Sequence, residues 1–159
     1  MEMLEWLPRM AQMYTTWSVL LVLLLTVVPA PTPMRFFAAC NMLAVACFYN
    51  VNVFIAPDET RHVFVEMGIE DLATMGVINM LLHVLPVLVA LPWILGARWS
   101  WAFLLAAALP PPLMLLYYRS VYPTVYGQRK PIPPQDLLKI FLLYALILFS
   151  SSSFSGHRI

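Results

Sequence analysis

Long apolar runs, separated by short clusters of proline and charge, dominate this sequence. The first run covers about residues 14–28 and stops at Pro29, Pro31 and Pro33, whose rings fix φ and remove backbone donors. The second covers 34–56 and ends at Pro57-Asp58. The third covers 72–95 and turns sharply at Gly96-Ala97-Arg98, which makes it an antiparallel neighbour of the fourth, 99–118. Pro110-Pro111-Pro112 interrupts that fourth run, and a fifth, 137–149, trails into Ser150–Ser153. A helix needs roughly 20 apolar residues to cross a bilayer core, and each run meets that length, the first and last marginally. Backbone in lipid must satisfy its own hydrogen bonds. The pattern therefore predicts an all-α integral membrane helical bundle with about five transmembrane helices, several of them Pro-kinked, in a single polytopic domain over 1–159. Residues 58–71, with Asp58, Glu59, Glu66, Glu70 and Asp71, read as an acidic loop.

Composition supports this class. The chain is 62% hydrophobic and 11% charged, whereas soluble domains carry roughly 25% charged residues. A net charge of +1 supplies no field for nucleic acid. Residues 18–28 resemble the apolar part of a signal peptide, but Glu2 and Glu5 precede them and prolines crowd the cleavage position, so an uncleaved first span is expected. With five spans, Arg9, Arg61, Arg119, Arg129, Lys130 and Lys139 share one side and Arg35, Arg98 and Arg158 the other. That bias predicts a cytoplasmic N-terminus. Trp93, Trp99 and Trp101 anchor one interface, and Tyr117, Tyr118, Tyr122 and Tyr126 the opposite one, where the aromatics and cations of 119–134 suit lipid headgroups or a docking protein.

Polar residues within membrane helices are costly, which singles out Asn41, Asn50 and Asn52 in the second span and Asn79 and His83 in the third. Asn41 and Asn52 share a helical face, as do Asn79 and His83. At ~1.5 Å per residue from their common loop, Asn41 and His83 lie at depths within about 4 Å, and Asn50 matches Asn79. A hydrogen-bonded seam between the two spans is expected, either as helix–helix glue or as a polar pocket in which His83 is a base, held neutral by its apolar surroundings. No second ligand stands at metal spacing, so no metal or other cofactor is expected. Cys40 and Cys47, roughly 10 Å apart along one helix, are too distant for a disulfide and read as small buried hydrophobes. No span carries a central Asp, Glu, Lys or Arg and no inverted repeat is visible, which argues against a channel or transporter. Pro86, Pro92 and Pro110–Pro112 read as packed kinks or as the wall of a small lipid-binding cavity.

Three segments carry a family resemblance. Met34-Arg35-Phe36-Phe37 with Cys40-Asn41-Met42-Leu43-Ala44-Val45, then Asn79-Met80-Leu81-Leu82-His83-Val84-Leu85-Pro86 with Leu91-Pro92-Trp93, then Tyr117-Tyr118 with Val121-Tyr122-Pro123, are similar to the androgen-induced-protein-like membrane family and its bacterial relatives. The resemblance implies hydrolysis of lipid esters within the membrane by a threonine nucleophile and a histidine base, the histidine falling at His83. Phe37 stands where the threonine is expected, and one of the family's six spans is missing between Asn41 and His83. Cys40 is the residue nearby that can stand in as nucleophile. With the nucleophile position empty and no soluble domain, the sequence favours a non-catalytic structural or assembly subunit that packs against other membrane proteins and lipid. The alternative is a lipid-ester hydrolase or lipid-binding protein centred on His83.

Overall fold

The computed structural model describes residues 13–55, 57–66, 68–97, 100–120 and 133–153. Among them the chain is entirely helical, without strands. Its elements are α1 (Tyr14–Val27), α2 (Thr32–Ile55), the short α3 (Pro57–Glu66), α4 (Leu72–Leu95), α5 (Trp101–Ser120) and α6 (Pro134–Ser153). Arg9, Arg98, Trp99, Tyr122, Tyr126, Arg129, Lys130, His157 and Arg158 lie outside the described residues.

Four helices, α2, α4, α5 and α6, are long and apolar enough to cross a membrane. α1 has 14 residues and is shorter than that. The fifth run is longer than hydropathy indicated, a helix of 20 residues. It continues into the serine tract because a hydroxyl can bond back to its own helix; Ser151 donates to the Ile147 carbonyl at 2.8 Å. The acidic loop contains α3, with Pro57 at its first position, where a missing N–H costs nothing. Gly68, at φ 76°, then makes the left-handed turn that leads to α4.

α2 is the centre of the bundle, in contact with α1, α4, α5 and α6. Its most apolar stretch is 61% buried, against 22–28% in α4, α5 and α6. The cause is side-chain size. Ala38, Ala39, Cys40, Ala44, Ala46 and Cys47 let four helices approach from different sides, and all six are buried. The outer helices divide by period: α6 buries Asp136, Ile140, Tyr144 and Leu148 and exposes Leu138, Leu142, Leu146 and Phe149. Such an outer surface of leucine suits lipid.

The proline run in α5 does not end the helix. The chain bends at Leu109 and resumes at once, with Pro110, Pro111 and Pro112 in the first turn of the second segment. That is the part of a helix where prolines are tolerated.

Candidate functional site

His83 lies in a widened turn of α4, Met80–Val84, where the Leu85 N–H reaches the Met80 carbonyl five residues back. Pro86 accounts for the widening. Its ring would collide with the Leu82 carbonyl of a regular helix, and it has no N–H to offer. Such π turns recur at functional sites. Here the turn carries the one histidine buried among the described residues.

The imidazole is held on two sides by other helices. Its ring stacks on Tyr49 of α2, with centroids 3.7 Å apart and planes 10° from parallel. Its Nε2 lies 3.5 Å from the Thr15 hydroxyl of α1, the outer limit of a hydrogen bond. Nδ1 is buried without a hydrogen-bond partner. Thr15 is half-buried, whereas His83 is buried.

Two further sets of polar contacts flank this pair. Asn41 of α2 is buried; it accepts from the Tyr14 hydroxyl and donates to Ser18 Oγ at 2.8 Å. Ser18 in turn donates to the Tyr14 carbonyl at 2.8 Å. Asn79 donates to Asn50 Oδ1 at 3.3 Å, and Asn50 donates to the Ala46 carbonyl at 2.9 Å. Asn79 Oδ1 is buried without a partner. The Tyr14 ring packs on Tyr117 of α5 at 5.3 Å, which ties a fourth helix to the cluster.

The seam expected between α2 and α4 is thus a three-helix arrangement. Asn50 and Asn79 join directly, but Asn41 and His83 do not meet. Each turns to α1, Asn41 to Tyr14 and Ser18 and His83 to Thr15. Asn52 is half-buried farther along α2. Cys40 points elsewhere: it is fully buried, beside Tyr144 of α6. One residue advances a helix by 100°, so Cys40 and Asn41 address different neighbours. Phe37, half-buried, packs at the edge of the core.

Sequence reasoning missed Tyr14, Thr15, Ser18 and Tyr49. The signal was present as Tyr14-Thr15-Thr16-x-Ser18, a polar cluster opening the most apolar run, with Tyr14 and Ser18 one turn apart. Among the described residues no group of three or more His, Cys, Asp or Glu is placed to hold a metal ion.

At the head of α4, Asp71 caps the helix. Its carboxylate accepts from the Thr74 N–H and the Thr74 hydroxyl, both at 2.7 Å. These bonds, the hydroxyl's first, hold Asp71 below the usual carboxylate range.

No protein-family model matches the chain, and no curated protein or solved structure matches it either.

Proposed function

We propose that this chain is a multi-span membrane protein that hydrolyses a lipid ester within the bilayer, with His83 as base and Thr15 as nucleophile. The observation that carries the reading is the Thr15 hydroxyl at 3.5 Å from His83 Nε2. On sequence the catalytic reading had Cys40 as a stand-in nucleophile, because Phe37 stands at the position implied by the family resemblance. Thr15 supplies a hydroxyl to the same histidine from a different helix. Catalytic contacts are often long before substrate binds and shorten in the reacting complex.

In the proposed reaction the Thr15 Oγ–H proton passes to His83 Nε2 as Oγ attacks the acyl carbon. The ester C–O bond breaks, and the leaving alcohol takes the proton from the imidazolium. Water, deprotonated by the same imidazole, then attacks the acyl-threonine; the acyl C–Oγ bond breaks, Thr15 Oγ takes the proton back from the imidazolium, and the fatty acid is released. Tyr49 fixes the plane of the ring. Acyl chains would approach half-buried Thr15 from the lipid side.

A second reading is favoured by a separate observation. The bonds of Asn41 to Tyr14 and Ser18, and of Asn79 to Asn50, fasten α1, α2 and α4 whether or not chemistry occurs. On this reading the chain is a non-catalytic subunit, and its exposed leucine faces meet lipid and other membrane proteins.

Turnover of a fluorogenic lipid ester by the purified protein in lipid nanodiscs separates the two. The hydrolase reading expects turnover that Thr15→Val and His83→Gln each abolish and Cys40→Ala leaves intact. Absence of turnover by the folded wild type, together with stable co-purification of another membrane protein, would decide for the subunit.

A further inference from the structure

We propose that Arg35 and Trp93 form a site for the phosphate of an anionic lipid headgroup, at the end of the bundle where α1 turns into α2. The proposal is independent of the chemistry at His83.

Arg35 lies in the first turn of α2, and its guanidinium carbon is 5.9 Å from the centre of the Trp93 ring, near the far end of α4. Its Nε is buried with no hydrogen-bond partner. It forms no ion pair with a carboxylate among the described residues, where Lys139–Asp136 is the salt bridge at the opposite end. The distribution of charge along the chain explains this. Every Asp and Glu lies at position 2, 5, 58, 59, 66, 70, 71 or 136. The turn between α1 and α2 and the last turn of α4 meet at this end of the bundle, and neither contains an acid. Arg35 is the one charged residue between positions 10 and 57.

A guanidinium at the edge of a bilayer with no carboxylate to meet selects an anion from its surroundings. The cation–π contact with Trp93 at 5.9 Å offers the group no hydrogen-bond acceptor, and a guanidinium matches phosphate with two parallel bonds. The start of α2 does not compete for the ligand, because the Met34 and Arg35 N–H groups bond back to the Pro31 carbonyl at 3.0 and 3.2 Å. Lipid is the source that the same end favours. Val28, Met34, Leu95 and Trp101 are all exposed there and offer apolar surface to the acyl chains below a headgroup.

The test is native mass spectrometry of the purified full chain titrated with phosphatidylglycerol or phosphatidylcholine. The expected result is an anionic-lipid preference of about five-fold, the size for one cation at an anionic surface. Arg35→Gln should lose it, Arg35→Lys should keep part of it, and excess inorganic phosphate should not displace the lipid. Equal binding of the two lipids by the wild type, or an undiminished preference in Arg35→Gln, would overturn the site. Displacement by inorganic phosphate would overturn the lipid as its ligand. If Arg35→Gln does not fold, Trp93→Leu serves instead: it keeps the charge and removes the stacking surface, and an unchanged preference there contradicts the proposal equally.

Discussion

The Tyr144 hydroxyl of α6 donates a 2.7 Å hydrogen bond to the Ala107 carbonyl of α5. In a regular helix that oxygen would receive the N–H of residue 111, but residue 111 is proline. The break in α5 and the placement of a tyrosine on α6 are therefore one feature. The prolines free a carbonyl in the apolar interior, and a side chain from the next helix satisfies it. Tyr144→Phe should destabilise the protein by about 1–3 kcal/mol, the cost of a buried acceptor left unpaired. Pro111→Ala restores a local donor to the same oxygen and should reduce that cost. A double-mutant cycle on thermal unfolding in detergent checks this, and additive effects would separate the two residues.

Asn41 joins α1 to α2 through two side chains, Tyr14 and Ser18. Replacement by leucine should cost about 1–2 kcal/mol, since interhelical bonds in membranes contribute about 0.6–1.7 kcal/mol each. Asn50→Leu, which breaks a single interhelical bond, should cost less. Unfolding by denaturing detergent, followed by circular dichroism, ranks the two variants. The reverse order would mean that α1 is held mainly by its apolar contacts.

Pro86 sets the widened turn at His83. Pro86→Ala should let the helix tighten, rotate the imidazole away from Thr15 and abolish ester turnover while the helix content stays constant. Retained turnover would show that the turn has another cause.

Asp71 provides the pH-dependent contact that can be followed. Its carboxyl is held below the usual range by bonds made only in the folded state. The stabilisation is therefore fully present above the unfolded carboxyl value, about 3.9. It is lost as pH falls through the lower folded value. The protection factor of the Thr74 amide, measured against intrinsic exchange at each pH, should fall across that acidic window and be low throughout in Asp71→Ala. Equal protection in both proteins would remove the cap.

The helical elements were legible because proline, glycine and charge punctuate the apolar runs so sharply. The match in depth of Asn50 and Asn79 followed from counting residues along two antiparallel helices. The arrangement around α2 was less visible. Small residues at 38–40, 44, 46 and 47 identify the helix that others surround, yet hydropathy ranks them below the leucines of α1 and α4. The role of α1 was hidden for a related reason. Two-helix counting treats polar residues near the start of a span as interface anchors, whereas Tyr14, Thr15 and Ser18 project onto α2 and α4. The partner of Cys40 depended on the position of α6, which no local pattern fixes. The widened turn was signalled by Pro86, but whether a helix kinks, breaks or gains a residue there depends on its neighbours.

The most direct test of the Thr15–His83 pair is to find where a reactive ester analogue attaches. The membrane-embedded protein would be treated with a lipid-tailed fluorophosphonate and the adduct located by peptide mapping. The account predicts modification of Thr15 in the wild type and none in His83→Ala. An adduct on Cys40 or Ser18, or labelling of Thr15 that persists without the histidine, would contradict it.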